Sequence, residues 1–406
     1  MSTTSMLDKK TIETVKSTVP VLEEHGTAIT SQFYQLLFRN HPELKNIFNQ
    51  SNQRQGRQPQ ALANAVYAAA LHIENLEAIL PVVKQIGHKH RSLNIRPEHY
   101  PIVGENLLKA MKLVLGDAAT DDIIDAWAKA YGVIADVFIE VEREMYEETR
   151  QTPGGWVGYR DFVVIDKVKE SEVITSFYLK PADNGDLPMF KPGQYITVKV
   201  EIPGLPYTCQ RHYSLSCSPN NEYLRISVKR EDSIDDKPEG VVSSFLHNQI
   251  DQGDILAISA PAGDFVVDSL EQPIVLLSGG VGITPLISMM EHVLEEQPER
   301  EIYFIHAAQN AQMQGFKETL QQITNQHDQV HYYKVYEKTD HPHLCDKVGY
   351  IDLPWLKTIL PNKEASFYFC GPEGFMKTIH KALIDWGVHK ENIHYEFFGP
   401  QGSLED

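Results

Sequence analysis

The spacing of apolar residues changes character twice along this chain, and those two changes limit what it can fold into. Through residues 11–149 apolar side chains recur at three and four, and Pro20, Pro42, Pro59, Pro81, Pro97 and Pro101 fall at or near the breaks. This is the pattern of an all-α domain. Pro153-Gly154-Gly155 ends it, and we place a boundary between residues 150 and 151. Short runs at 162–169, 172–180, 194–201, 211–216, 223–229 and 254–260 then read as strands, enough for a small closed antiparallel barrel spanning 151–262. From residue 263 strands alternate with helices, with strands expected at 274–278, 302–306, 330–336 and 367–370. That alternation predicts an α/β doubly wound domain at 263–406. A 406-residue chain is too long for one core, and three domains suit it.

Composition narrows the function classes. A formal net charge of −18 argues against unaided binding to nucleic acid and against stable association with an anionic membrane surface. No apolar run approaches the roughly 18 residues that a membrane span needs. The first ten residues are polar, without the apolar stretch of a secretory leader. Cys209, Cys217, Cys345 and Cys370 show neither paired nor metal-type spacing, which points to a reducing cytoplasm. No obligatory protein partner is implied.

Three ordered pieces carry the chemistry of the barrel. Arg211-His212-Tyr213-Ser214 offers a guanidinium that forks onto pyrophosphate oxygens, a flat ring with a hydroxyl, and a serine able to hydrogen-bond the reactive edge of a flavin. Upstream, Lys191-Pro192-Gly193-Gln194-Tyr195 turns into a strand. Downstream, Gly240-Val241-Val242-Ser243 starts a helix, whose free amides suit a phosphate. Together they resemble the flavin-binding barrel of the ferredoxin–NADP reductase superfamily, which implies FAD. In the next domain a buried strand runs into Gly279-Gly280-Val281-Gly282-Ile283-Thr284-Pro285, where missing side chains admit a pyrophosphate. The spacing departs from G-x-G-x-x-G, as it does in reductases of this superfamily. Cys370-Gly371-Pro372-Glu373-Gly374-Phe375-Met376 resembles that superfamily's nicotinamide-side motif, with Cys370 either beside the hydride path or a buried strand-end thiol. The tail Tyr395-Glu396-Phe397-Phe398-Gly399-Pro400 resembles the terminal segment that covers the flavin, with Phe398 as the stacking ring. No acid or arginine for a ribose 2′ position is identifiable, so NADH and NADPH both stand.

In the helical part the most informative segment is 80–93. Val82, Val83, Ile86, His90 and Leu93 recur at three and four and share a face, while His88 is turned roughly 200° from His90. An earlier helix carries Phe33-Tyr34, a corner carries Asn46-Ile47-Phe48-Asn49, and a third helix places Gln58, Leu62 and Val66 on one stripe. Either that helix begins near Pro59 or it is kinked there. With Asn49-x-Ser51-Asn52-Gln53, Lys89-His90-x-Ser92, Trp127-x-Lys129-Ala130-Tyr131-Gly132 and Ala135-Asp136-Val137-Phe138, these pieces resemble the globin fold of flavohaemoglobins. The likeness then extends over the whole chain.

The resemblance implies haem b, with His90 as proximal iron ligand, Phe48 wedged against the porphyrin, and Tyr34, Gln58 and Leu62 on the distal side. It assigns Tyr100 and Glu144 to the far nitrogen of His90. A carboxylate there makes the imidazole electron-rich, which favours oxygen activation over carriage. On a helix rich in Glu140, Glu142 and Glu144, the same residue also reads as a surface charge. The implied activity is nitric oxide dioxygenation: NO and O2 to nitrate, with electrons from NAD(P)H through FAD to haem. Two other readings remain: an O2 or NO carrier or sensor with a self-reducing module, and a reductase of alkyl hydroperoxides or quinones.

Overall fold

The computed structural model describes residues 7–48, 53, 55–233, 238–399 and 404. Asn49, Ser51, Asn52 and Pro400, named above, lie outside them. The chain divides into two compact units, one of Met1–Tyr159 with Lys199–Arg211, the other of Arg160–Val198 with His212–Asp406.

The first unit is built from α1 (Lys9–Ser17), α2 (Val19–Asn40), α3 (Arg57–Leu71), α4 (Leu80–Ser92), α5 (His99–Leu115) and α6 (Asp121–Gln151). Side-chain caps start the first and last of these: Asp8 accepts from the Thr11 amide at 2.9 Å, and Thr120 from that of Ile123. Proline opens others without loss of a bond, since the first turn has no intrahelical acceptor for its amides. Pro20 and Pro81 sit in the first turns of α2 and α4, and α3 begins at Arg57, so Pro59 opens that helix and does not kink it. Leu22, Ile29, Phe33 and Leu37 of α2 pack against Leu107, Ala110 and Met111 of α5 and Ala126, Trp127 and Ala130 of α6. The indole of Trp127 donates to Thr18 Oγ1 at 3.1 Å, satisfying a buried polar group inside that core.

The long α6 ends where the sequence breaks. Gly154 takes φ 74°, and a β-carbon on Gly155 would lie 2.1 Å from the carbonyl oxygen of Thr149, so only glycine closes this turn. Residues 199–211 join the helical unit through Asn46, whose Oδ1 accepts from the Thr208 amide at 2.9 Å and whose carbonyl accepts from Gln210 Nε2 at 2.9 Å. Tyr159 donates to Gln210 Oε1 at 2.6 Å.

The strands of the chain form two sheets. Strands β1 (Tyr159–Lys169), β2 (Ile174–Pro181), β3 (Tyr195–Val200), β4 (Cys209–Ser214), β5 (Leu224–Lys229) and β6 (Ile255–Ser259) form a sheet of order β4-β3-β6-β1-β2-β5. Its edges meet where Leu215 bridges Ile226 and the Ser216 amide bonds the Arg225 carbonyl at 2.8 Å, which gives the expected barrel closure. Phe162, Phe177, Leu179, Ile196, Val198, Leu224 and Ile226 fill the interior. Helix α7 (Val241–Gln249) interrupts the strands.

The second sheet is parallel. It comprises β7 (Ile274–Gly279), β8 (Ile302–Ala308), β9 (Val330–Tyr336), β10 (Lys347–Val348), β11 (Ser366–Cys370) and β12 (Ile393–Glu396), in the order β10-β9-β8-β7-β11-β12. Helices α8 (Ile283–Glu296) and α9 (Lys317–Gln326) cover the face of Leu276, Phe304 and Tyr368, while α10 (Leu353–Ile359) and α11 (Glu373–Trp386) cover that of Leu277, Ile305 and Phe369. This is the doubly wound arrangement expected, with two additions. β10 is too short to show a period, and β12 was read only as a covering tail, whereas its first part pairs in register with β11 from Phe367↔Ile393 to Cys370↔Glu396.

His306 of β8 is buried, with Nδ1 2.7 Å from Ser278 Oγ, and burial pushes its pKa down from 6.5 to about 4. A ring kept neutral in the fold but free to protonate when unfolded stabilises fully above about pH 6.5, and that contribution is lost as the pH falls toward 4. Between pH 7 and pH 4 the chain should therefore lose roughly 3 kcal/mol through this group alone. Urea unfolding of the chain and of His306→Gln across that range checks it. The variant should show the shallower decline, and parallel profiles would rule out the assignment.

Candidate functional site

Three helices converge on His90. Helix α4 ends there because Asn94 takes a left-handed φ of 61°, which asparagine tolerates, and Ile95 N–H returns to the His90 carbonyl at 2.9 Å. Lys89, His90 and Arg91 fill the last turn, where positive charge complements the helix dipole. The stripe that faces the core is Val83 and Gly87. Val83 is buried as the sequence face expects, whereas Val82 is 43% exposed and Ile86 and His90 lie half-buried on the adjoining row.

The carboxylate beside His90 is Glu142, not Glu144. His90 Nδ1 lies 2.6 Å from Glu142 Oε1, and the Tyr100 hydroxyl donates to the same oxygen at 2.5 Å while lying 3.3 Å from Nδ1. Glu142 is 3% exposed, whereas Glu144 is on the solvent side of α6. The cause is helical phase: Phe138, Glu142 and Tyr146 follow one another at intervals of four along the packed face, and two further residues carry a side chain to the opposite face. Burial, and then the Glu142 charge, push the Tyr100 phenol far above its ordinary value, so it stays a donor. With Nδ1 engaged, Nε2 is the nitrogen left for a metal.

Tyr34, Phe48, Gln58 and Leu62 also come together. Tyr34 is buried, with ring centroids of Phe33, Phe38 and Phe48 at 4.8, 5.8 and 5.6 Å. Burial pushes its phenol well up, and the side chains of Gln58 and Gln53 beside its hydroxyl oppose that shift. The aim of Gln58 toward Tyr34 follows from its place in the first turn of α3. Gln53 had no role in the sequence reading, although it ends one of the motifs quoted there. Leu62 lies half-buried against the same core. Among the described residues no group of three His, Cys, Asp or Glu could hold a bare metal ion. One tethered imidazole with an aromatic and amide pocket fits an iron whose other ligands come from a macrocycle.

In the barrel, β4 has Gln210 and Ser214 buried, Arg211 and Tyr213 half-buried on the other face, and His212 exposed. Arg211 Nη1 donates to the Gln210 carbonyl at 2.7 Å. His212 shares a face with Ser214, with Nδ1 2.8 Å from Thr197 Oγ1 and its ring 5.0 Å from that of the buried Tyr195. Gly240 caps α7, which leaves the amides of Val241, Val242 and Ser243 without intrahelical acceptors. The Ser243 hydroxyl is used locally, donating to the Gly240 carbonyl at 2.9 Å and accepting from Glu231 N–H at 3.1 Å. Any phosphate contact at Ser243 therefore falls to its backbone.

The nucleotide turn interlocks with the end of β11. A β-carbon on Gly282 would lie 2.1 Å from the Cys370 carbonyl oxygen, and one on Gly371 2.6 Å from the Phe375 ring, while Gly279 is pressed against Pro372 and Phe375. Gly280, by contrast, takes φ 54° and has nothing within 4 Å of where its β-carbon would stand, so its backbone is approachable. This is the cradle a pyrophosphate requires. Thr284 Oγ1 donates to the Val281 carbonyl at 3.1 Å and holds the turn with Pro285 behind it. Cys370 is fully buried, and burial, then Glu396 beside it, pushes its thiol well up, so it is a neutral strand-end group. Phe397 packs with Tyr395 while Phe398 is 45% exposed, which supports Phe398 as the ring free to stack.

Comparison with known proteins agrees with this layout. The globin family matches residues 31–138, the oxidoreductase FAD-binding domain family 161–267 and the oxidoreductase NAD-binding domain family 276–381. The chain is 56% identical to the flavohemoprotein of Bacillus cereus over 98% of its length and all of that protein's. It is 53% identical to the flavohemoprotein of Bacillus subtilis over 98% of this chain and 99% of the relative. The crystal structure of a flavohemoglobin from Malassezia yamatoensis with bound FAD and heme superposes with a TM-score of 0.84, at 27% identity, covering 97% of this chain and 100% of that one. The flavohem-like FAD/NAD-binding domain of nitric oxide dioxygenase from Vibrio cholerae covers 59% of this chain and 99% of its own, with a TM-score of 0.54 and 42% identity. A globin-like pocket, a flavin barrel and a nicotinamide-nucleotide domain in one chain define a haem-containing flavin oxidoreductase. The chain belongs to the flavohemoprotein family.

The two glutamates give a direct check. Glu142→Gln should lower the iron–imidazole stretching frequency in the resonance Raman spectrum of the ferrous haem protein, because a neutral acceptor withdraws less of the Nδ1 proton. Glu144→Gln should leave it unchanged. Equal spectra for all three proteins would remove Glu142 from the site.

Proposed function

We propose that this protein is a nitric oxide dioxygenase that converts NO and O2 to nitrate with electrons from NADH or NADPH. The observation that carries this reading is the 2.6 Å contact of His90 Nδ1 with the buried Glu142. A carboxylate on the proximal imidazole suits oxygen chemistry better than reversible carriage. It favours turnover over the carrier or sensor reading. The relative from Vibrio cholerae that carries the activity in its name supports it. Haem would supply oxygen binding, FAD the exchange of a hydride for single electrons, and the nicotinamide nucleotide the hydride.

The chain's own groups have distinct tasks. Nε2 of His90 would hold the iron, and Glu142 and Tyr100 hold the imidazole in one tautomer and orientation. Phe48 and Leu62 would line the porphyrin. The neutral hydroxyl of Tyr34, oriented by Gln58 and Gln53, would donate to oxygen on the distal side. Arg211 and the first amides of α7 would take the FAD pyrophosphate, with Tyr195, His212, Tyr213 and Ser214 along the flavin. The turn Gly279–Gly282 with Thr284 and Pro285 would seat the nicotinamide nucleotide, and Cys370, Gly371, Pro372 and Glu396 would bound its reactive end. Phe398 would cover the flavin until nicotinamide displaces it.

We assign the helical part to residues 1–150, the flavin barrel to 151–262 and the nucleotide domain to 263–406, working in the cytoplasm without a protein partner. No helix among the described residues is long and apolar enough to cross a membrane.

Steady loss of NO coupled to NADH or NADPH oxidation, with nitrate as product, is the expected result for the loaded protein. A single turnover per haem would return it to the carriers. Tyr34→Phe removes one hydrogen bond to a polarised ligand without removing volume, worth about 1.5–3 kcal/mol, or roughly ten- to a hundredfold faster oxygen release. Flash photolysis measures this, and an unchanged release rate would reduce Tyr34 to packing.

A further inference from the structure

One buried ion pair lies outside every group named above. Arg225 sits on β5 between Leu224 and Ile226, and its side chain is 8% exposed. Nε donates to the Ser216 carbonyl at 3.0 Å, and Nη2 donates to the same oxygen and to Glu291 Oε1, the latter at 3.0 Å. The guanidinium lies over Phe316 and Tyr178, 5.2 and 5.7 Å from their ring centroids. Glu291 belongs to α8, and its second oxygen accepts from the Ser218 amide at 2.8 Å. On either side along that helix, Ser288 Oγ donates to the Cys217 carbonyl at 2.6 Å, and Glu295 Oε2 accepts from Ser218 Oγ at 2.5 Å. Spacings of three and four place Ser288, Glu291 and Glu295 on one face of α8, so a stripe of the helix grips residues 217 and 218, and Arg225 holds Ser216 beside them.

The energetics argue against a purely stabilising role. Taking the Arg225 charge and most of the Glu291 carboxylate, whose side chain is 21% exposed, out of water is costly, and apolar residues of similar volume are often as stable or more so. A planar guanidinium with fixed donor directions adds geometric specificity instead: only one register of α8 against the barrel satisfies all of these bonds. The two ends of the grip matter. Ser218 follows the flavin strand by four residues, and α8 starts directly after the Gly279–Gly282 turn, about 12 Å of rigid helix from Glu291.

We propose that Arg225, Glu291 and Ser218 are positioning residues for hydride transfer, a clamp that sets the nucleotide turn at its working distance from the flavin strand. The inference rests on the nicotinamide-to-flavin step of the proposed function. Reacting atoms must come within about 3–3.5 Å, and a misplacement of about 1 Å costs on the order of a hundredfold in rate. A slipped α8 would therefore slow the chemistry while leaving each cofactor bound.

The test uses the full-length, haem- and FAD-loaded protein and the double variant Arg225→Met/Glu291→Leu, which replaces the pair with apolar groups of similar size. Anaerobic stopped-flow bleaching of the flavin is followed with NADH and NADPH, each also deuterated at the transferring position of C4. The double variant should keep its flavin and haem content and bleach normally with dithionite. Its hydride-transfer rate should fall ~30- to 100-fold, with an altered isotope effect and little change in the nucleotide concentration for half-saturation. A flavin-loaded double variant within about twofold of the parent, with the same isotope effect, overturns the clamp. Should that variant fail to retain flavin, Glu291→Gln, which keeps size and an acceptor, is judged by the same criteria: slower transfer with an altered isotope effect supports the clamp, and parent-like transfer overturns it. A parent protein whose flavin neither nucleotide bleaches overturns the hydride reading itself, and the clamp with it.

Discussion

The oxygen atom Glu142 Oε1 has two short contacts and almost no exposure to water, and the helical unit is built to tolerate it there. A carboxylate buried without partners would cost far more than a helical unit has to spare, so His90 and Tyr100 must both reach it. That requirement locks α4, α5 and α6 together. Tyr131 donates to the Tyr100 carbonyl at 2.7 Å and Tyr146 to the Ile95 carbonyl at 2.7 Å, so α6 also holds the start of α5 and the turn after α4. The 31 residues of α6 follow from the same demand. Trp127 anchors one part to Thr18, and Glu142 must arrive about 22 Å further along the axis.

A different problem is that of holding polyanionic cofactors on a chain whose net charge is −18. Its answer relies on backbone more than on cationic side chains. The start of α7 offers amides, and Gly280 leaves its own backbone bare, while Gly282 and Gly371 allow two strand ends to touch. Of the positions assigned to phosphate, Arg211 alone is charged. Such a surface would distinguish phosphate by shape and dipole with little net attraction at long range.

Much of this was legible in the sequence, and the misses share a cause. Apolar periodicity separated the helical part from the longer strands, and it distinguished His90 from His88 because two residues turn a helix by more than half a circle. The same arithmetic applied to Phe138 and Tyr146 leads to Glu142, but resemblance, not phase, chose between the glutamates, and it chose Glu144. Pro59 read as an ambiguity only until the start of α3 was known. Strand β12 is only four residues long, too short for the alternation of Ile393 and Tyr395 with His394 and Glu396 to separate it from a tail. Arg225 is a harder case: a cation between two apolar strand residues looks solvated until the partner, 66 positions later, is in place. Tertiary contacts of that kind leave no period in the sequence.

Residues 199–211 belong, by packing, to the helices, although in sequence they lie among the strands of the barrel. Asn46 receives both Thr208 and Gln210, and Gln210 is also the acceptor for Tyr159. The modules of this chain are thus not beads that a cut at one point would separate. Anyone grafting this flavin and nucleotide machinery onto a different haem carrier would take along a loop shaped to another surface, and would have to redesign that loop or supply an equivalent of Asn46 to receive it.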